Sequence, residues 1–183
     1  MAKIQKDYVF ECAIHFDNKF MINFYELTLF MEVVTDNQYE QNIAIERINY
    51  YLSTVIENSI FVNQNDKKSI ESYENAGIKV ITLPEDPYDQ IIGLLLLIKC
   101  NAIMENKIVI NEIMFQSKLT AGIKFHTFIE ETEDYLGKHW WTDKSPSYKL
   151  QTTSKKEKVV KLFDVDTWTS LGLTWKEKKV DTE

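Results

Sequence analysis

Residues 20–34, FMINFYELTLFMEVV, carry the clearest structural pattern in this chain. In the second half of this stretch, apolar side chains at every second position alternate with Glu26, Thr28 and Glu32. Successive side chains of a β-strand point to opposite faces, so the alternation predicts a strand with one buried and one solvated face. The preceding run YVFECAIHF, residues 8–16, is followed by the turn residues DNK and predicts the first strand of a hairpin.

Two long helices are predicted from the spacing of apolar residues. The first runs from about Gln38 to Glu57 and is preceded by a capping box of Asn37 and Glu40. The second covers residues 86–105, because an N-cap aspartate and a first-turn proline precede the apolar run IIGLLLLI. This second helix is apolar nearly all round, so it needs cover on more than one side. The sheet with the C-terminal segment, or a second copy of the chain, would provide that cover.

Shorter segments complete a β-α-β-β-α-β series in the middle of the chain. They predict strands at SIFVN, IKVITLP, KIVINEIMFQ and AGIKFHTFIE, a short helix at QNDKKSIESYENAG closed by Gly77, and a last strand at VVKLFDV. The order predicts an α+β protein of the ferredoxin-like type: a mainly antiparallel sheet with helices on one face, an extra N-terminal hairpin and a C-terminal extension. Residues 1–133 form the predicted core domain, and residues 134–183 an aromatic loop and extension packed on it.

Composition narrows the function classes. The chain has 183 residues, a hydrophobic fraction of 44% and a formal net charge of −7. Among its 21 basic residues only Arg47 is an arginine, which disfavours nucleic-acid binding because the planar arginine fork is the preferred group for phosphates and bases. With five glycines and no Gly-rich loop, a P-loop mechanism is excluded. The heavy use of Ile, Lys and Asn is typical of an AT-rich genome, bacterial or phage.

The cysteines and the apolar runs predict a cytoplasmic protein. The chain has two cysteines, Cys12 and Cys100, and its first residues lack the apolar region of a signal peptide. Reduced thiols are expected in that compartment. The longest apolar run, residues 91–98, is far shorter than the roughly 20 residues that cross a bilayer, so no membrane span is expected.

One string, ECAIHFD at residues 11–17, contains several chemically active residue types. Strand alternation places Cys12 and His15 on opposite faces, which argues against a nucleophilic pair. His15 and Asp17 would share a face about 6.6 Å apart, and His126 could join them as a metal ligand or general base. Solvent-facing polar residues are the competing interpretation. The sequence contains no complete catalytic motif and predicts no cofactor.

The segment 134–149, DYLGKHWWTDKSPSYK, mixes aromatic residues with lysines. Such a mixture is typical of surfaces that stack ligands or bases. Burial of a tryptophan contributes more than an exposed stack, so one of the two adjacent tryptophans is predicted to pin the segment and the other to cover a partner, another subunit. The candidate binding residues are Tyr135, His139, Trp140, Trp141 and Tyr148.

These patterns predict a non-catalytic module that associates with itself or with a protein partner. The all-round apolar helix and the missing catalytic motif favour that function. A module that binds a small ligand or single-stranded nucleic acid through the sheet face and the tryptophan segment is the first alternative. An enzyme or metal site built on histidine and aspartate is the second. The expected partners are further copies of the chain, a protein or a small ligand, with nucleic acid disfavoured and no membrane.

Overall fold

The computed structural model describes residues 2–149 and 167–176. Its elements follow one another along the chain as β1 (Lys3–Phe16), β2 (Lys19–Val33), α1 (Gln38–Tyr50) with a π-helical continuation (Tyr51–Ile56), β3 (Ile60–Asn63), α2 (Lys67–Asn75), β4 (Val80–Leu83), α3 (Asp89–Met104), β5 (Ile108–Ser117), β6 (Lys124–Phe128) and a 3-10 helix (Ile129–Tyr135). The predicted last strand, residues 159–165, lies outside the described residues.

The strands form one six-stranded sheet in the order β4-β3-β1-β2-β5-β6. β1 pairs with β2, β2 with β5 and β5 with β6 in antiparallel fashion. β3 runs parallel to both β1 and β4. The predicted α+β class is confirmed.

The ferredoxin-like arrangement predicted from the element order is not the one observed. The N-terminal hairpin lies in the middle of the sheet, and β3, α2 and β4 form a parallel unit at one edge. The helices also occupy both faces. α1 and α3 pack on the large core, while Ile70 and Tyr73 of α2 pack on a separate cluster across the sheet. The element order alone does not predict the sheet arrangement, because it does not specify which strands become neighbours or which face a crossover helix covers.

The alternation in residues 20–34 is confirmed as a strand with two different faces. Tyr25, Leu27, Leu29 and Met31 are at most 3% exposed and form part of the large core. The opposite face of β2 is covered far less, and its N-terminal half exposes apolar side chains. On this face, His15 of β1 pairs with Phe20 of β2.

The two predicted long helices are present, with changes at their starts. Asn37 caps α1, its side chain accepting hydrogen bonds from the N–H groups of Tyr39 and Glu40. The Glu40 carboxylate binds Thr35 and Lys107 instead of closing the capping box. For α3, the N-cap position falls on Tyr88, so the predicted aspartate cap two residues earlier is wrong.

The apolar α3 helix is covered by its own chain. Trp140, Trp141 and Trp168 belong to the same core as the leucines of α3. Residues 167–176 are held by Arg47, whose guanidinium carbon lies 4.7 Å from the ring of Trp168 and 3.7 Å from the ring of Trp175. None of the helices in residues 2–149 and 167–176 is both long and apolar enough to span a membrane.

Candidate active site

A network of polar side chains is centred on His15, close to the end of β1. The Nδ1 atom of His15 lies 2.8 Å from the hydroxyl of Tyr73. Its Nε2 atom lies 3.1 Å from the hydroxyl of Ser69 and 3.2 Å from a carboxylate oxygen of Asp66. The side chain of His15 is 12% exposed and that of Asp66 33%, so the network is half-buried and reaches solvent.

Local sequence explains why these four residues meet. Asp66 is the N-cap of α2 and accepts a hydrogen bond from the N–H of Ser69 at 3.1 Å. Ser69 and Tyr73 follow at the third and seventh positions, which places all three on one side of the helix. Strand alternation puts His15 on the same face of β1 as Ala13, which packs in the cluster beneath α2.

The charge of Asp66 determines which nitrogen of His15 carries the proton. Hydrogen bonds from the hydroxyl and the backbone N–H of Ser69 lower the pKa of Asp66, so its carboxylate is ionised at neutral pH. An ionised carboxylate can only accept hydrogen bonds, so we assign the proton of neutral His15 to Nε2. Nδ1 is then an acceptor, and Tyr73 donates to it.

Tyr73 is the outer end of this chain of hydrogen bonds. Burial, followed by the charge of Asp66, raises the pKa of its phenol. The phenol therefore stays protonated at neutral pH unless it passes its proton to His15. Ser69 and Asp66 both lie at Nε2, so the arrangement does not have the serine and aspartate on opposite ring nitrogens that a serine nucleophile requires. It is suited to proton transfer through Tyr73.

The open side of the network borders an apolar strip on the uncovered face of β2. The ring of Phe20 lies 6.1 Å from the ring of Tyr73. Phe20 is 50% exposed, Ile22 58% and Phe24 39%. We call these three residues the apolar platform.

The three residues considered as metal ligands do not come together. Asp17 lies in the β1–β2 turn beside Lys19 at 3.6 Å. His126 pairs with Glu112 at 2.7 Å, in a row of the sheet that continues through Met114 and Thr28 to Asp7. Asp7 lies about 26 Å from His15 along β1, at roughly 3.3 Å per residue. His126, in the row of Asp7, is therefore far from His15. In residues 2–149 and 167–176 no group of three His, Cys, Asp or Glu side chains could hold a metal ion.

Both adjacent tryptophans are buried, Trp140 at 4% and Trp141 at 3% exposed. The prediction that one of them faces a partner is therefore wrong. The segment turns at this point instead of running extended, so consecutive side chains do not point in opposite directions. The indole N–H of Trp140 donates to the carbonyl of Thr82, and that of Trp141 donates to the carbonyl of Tyr135.

Lys99, which was not among the predicted functional residues, holds this segment in place. It is fully buried, and its Nζ atom donates to the carbonyls of Trp140, Asp143 and Ser145 at 2.6–3.0 Å. Burial lowers its pKa to about 7. A single lysine at the end of the run IIGLLLLIK was the available signal, since a buried lysine needs partners.

Four of the five predicted binding residues lie around a cleft of about 300 Å³ next to β4. His139, Trp140, Trp141 and Tyr148 are among its lining residues. The ring of His139 is exposed and stacks on Trp141 with centroids 4.2 Å apart. Tyr135 does not line the cleft, and its hydroxyl donates to Glu85. Binding at these residues stays a prediction.

The comparisons with known proteins return structural neighbours only. No protein-family model matches the chain, and no curated protein matches it. An uncharacterized protein from Wolinella succinogenes aligns at 9% identity with a TM-score of 0.48, covering 70% of this chain and 98% of the other. The 6-pyruvoyl tetrahydropterin synthase of Plasmodium vivax aligns at 12% identity with a TM-score of 0.45 and the same coverage. A catalytic-residue mutant of that synthase aligns at a TM-score of 0.44, again at 12% identity and the same coverage.

These neighbours correct the function predicted from the sequence. Those whose names state an activity are enzymes, which contradicts the prediction of a non-catalytic, self-associating or partner-binding module. The likeness itself brings no activity or substrate to this chain.

Proposed function

We propose that this protein is an enzyme that abstracts a proton from its substrate through Tyr73 and His15. The observation that carries the proposal is the continuous chain of hydrogen bonds from Tyr73 to His15 to Asp66, open to solvent at its tyrosine end. Such a chain lets a weakly acidic hydroxyl act as a base, because its own proton leaves as the substrate proton arrives.

In the proposed step, the substrate proton moves to the phenolic oxygen of Tyr73. The proton already on Tyr73 moves to Nδ1 of His15, which becomes an imidazolium. Asp66 stabilises this cation through the Nε2 proton, over 3.2 Å. The substrate keeps the electron pair of the broken bond, and the same path run in reverse returns a proton to it or to water.

The charges of the network support this direction of transfer. The pKa of Asp66 is lowered, so the carboxylate that receives the Nε2–H bond is charged at neutral pH. The pKa of Tyr73 is raised, so a free phenolate is not formed in the resting state. The ionised Asp66 favours movement of a proton towards His15, while the raised pKa of Tyr73 keeps the outer end of the relay neutral until substrate arrives.

The test uses 5-nitrobenzisoxazole, whose ring opens when a base removes one carbon-bound proton and the N–O bond breaks to give a coloured phenolate. We expect Tyr73→Phe and His15→Asn each to reduce the rate by about 100-fold, the lower end of the contribution of a positioned base. The matched controls are Tyr88→Phe and His126→Asn, which alter exposed residues outside the network. Equal rates in all five proteins would refute the proposal.

We also propose that the enzyme is a homo-oligomer in the cytoplasm. β6 pairs with β5 on one side, and no other strand of the described ranges pairs with its second side. An open strand edge is a template for pairing with another chain. Both cysteines are free and buried, which is compatible with a reducing compartment. A sedimentation mass of a single chain at high concentration would contradict the oligomer.

The cleft next to β4 is proposed as a second, accessory ligand site. His139 and Tyr148 line it together with Lys138 and Lys149, a mixture of aromatic rings and ammonium groups. A His139→Ala variant should then lose ligand-dependent shifts in the NMR signals of Thr82 and Gln64, which also line the cleft. Absence of any ligand-dependent shift at Thr82 and Gln64 in the natural chain would show that the cleft is not a ligand site.

A further inference from the structure

The apolar platform has no function in the proton relay, yet it lies directly at its open end. Phe20, Ile22 and Phe24 occupy alternate positions of β2, so their side chains share the face on which His15 and Tyr73 lie. Apolar side chains with exposed fractions of 39–58% in one continuous strip mark a binding surface more often than isolated exposed residues do.

The platform has a defined length. From Phe20 to Phe24 the strand extends about 13 Å, at roughly 3.3 Å per residue. At the far end, the ammonium of Lys118 lies 4.1 Å over the ring of Phe24 and covers it. Glu11 pairs with Phe24 from the neighbouring strand β1. The strip is therefore open over Phe20 and Ile22 and bordered by one positive and one negative side chain.

The charged side chains at the Phe20 end of the platform, next to Tyr73, restrict which substrates can react there. The carboxylate of Asp66 stands behind His15 and is ionised at neutral pH, which would repel an anion placed against Tyr73. Asp17 and Lys19, at the tip of the hairpin, pair with each other. Neither end of the platform thus offers a net positive charge to a phosphate or carboxylate group.

We infer that the substrate is an uncharged compound with an aromatic or alicyclic ring system that lies on Phe20 and Ile22 and presents a hydroxyl group to Tyr73. The phenolic oxygen of Tyr73 donates to His15 and keeps a lone pair for that substrate hydroxyl. Ring stacking on Phe20 orients the substrate, and the hydroxyl proton is the one that the relay removes. This inference rests on the proposed function, and it is tested by binding instead of turnover.

The experiment measures binding of 2-naphthol to the full-length protein by two-dimensional NMR. We expect shifts in the amide signals of residues 20–24 and a dissociation constant raised roughly tenfold by Phe20→Ser and by Ile22→Ser, the scale of one lost aromatic or aliphatic contact with the ring. Val9→Ser is the matched control, because Val9 is 72% exposed on the same sheet face and pairs with Glu26, beyond the Phe24 end of the platform and farther from Phe20 and Ile22. This variant should bind 2-naphthol as the natural chain does.

Two related compounds test the assignment of the hydroxyl and the exclusion of charge. 2-Methoxynaphthalene has no hydroxyl proton, so it should bind to the natural chain more weakly than 2-naphthol does. The two compounds should bind equally well to Tyr73→Phe. 2-Naphthoate carries a negative charge and should bind more weakly than 2-naphthol. Tighter binding of 2-naphthoate would overturn the inference.

Failure of this inference can be separated from failure of the proposed function. No shift at residues 20–24 with saturating 2-naphthol would refute the platform, while the response of 5-nitrobenzisoxazole to Tyr73→Phe would still report on the relay. A dimer that Phe20→Ser dissociates would also overturn the inference, because the strip would then belong to a contact between two copies. Normal 2-naphthol binding with no effect of His15→Asn on the elimination rate would refute the relay alone.

Discussion

The chain contains two polar networks, each centred on one basic side chain among aromatic rings. They differ in whether the network is fully buried or reaches solvent. Lys99 is fully buried and its nitrogen donates to three backbone carbonyls. His15 keeps 12% of its side chain exposed, and its partner Tyr73 faces the apolar platform. A network whose donors all meet fixed acceptors stabilises structure. A network that ends at an accessible hydroxyl is able to exchange a proton with a ligand.

The largest effect should come from breaking the closed network. Lys99→Met preserves much of the side-chain volume but leaves three carbonyls without their donor, so we expect the free energy of unfolding to fall by about 2–4 kcal/mol. Chemical denaturation monitored by tryptophan fluorescence would measure this. Lys138→Met, at an exposed position on the same segment, is the control and should be nearly neutral. A loss below that of the control would show that Lys99 does not hold the segment.

Arg47 should come second, because its buried guanidinium holds residues 167–176. Besides contacting two indole rings, it donates to the carbonyls of Leu173 and Ile103 and pairs with Glu105. We expect Arg47→Met to lower the free energy of unfolding by about 2 kcal/mol and to expose Trp168 and Trp175 to a fluorescence quencher. Unchanged quenching would contradict the role given to Arg47.

The pH dependence of stability sharpens the account of Lys99. Its pKa is about 7 in the folded chain, against about 10.4 for a free lysine. Between these values the unfolded chain binds more protons, so the contribution of Lys99 to the free energy of unfolding rises with pH. From pH 7 to pH 8.5, we expect the stability difference between the natural chain and Lys99→Met to grow by about 1–2 kcal/mol. A flat difference would show that the three carbonyls and Asp143 offset burial and keep the ammonium charged.

The smallest effect on stability is expected in the open network. His15→Asn removes hydrogen bonds that water can replace, so the free energy of unfolding should change by less than about 1 kcal/mol. The same variant should lose the elimination activity described above. Denaturation curves and rates measured on the same preparation test both statements. A stability loss as large as that of Lys99→Met would make the His15 network structural.

Parts of this fold could be read from local patterns. The alternation around Tyr25 predicted β2, and the helical spacing from Gln38 predicted α1, because each pattern reflects one element and its own two faces. The partners of β3 could not be read in this way. Its neighbours β1 and β4 are separated from it in the sequence, and nothing in SIFVN specifies a parallel pairing.

The candidate site shows the same division. His15 was a candidate because of its residue type, but its predicted partners were Asp17 and His126 instead of Asp66 and Tyr73. The spacing of Asp66, Ser69 and Tyr73 on one helix face was visible in the short helix and could have been noted. That this helix face would lie over the end of β1 depended on the sheet order.

By itself, the sequence determined the α+β class and the approximate positions of most strands and helices among the described residues, since these follow from side-chain periodicity and residue type. Only the tertiary structure decided that α2 covers the second face of the sheet, that both adjacent tryptophans are buried, and that His15 meets Tyr73 and Asp66. The physical reason is that burial and hydrogen bonding between distant segments depend on which strands pair and on which face each helix packs, and neither is encoded within a single element.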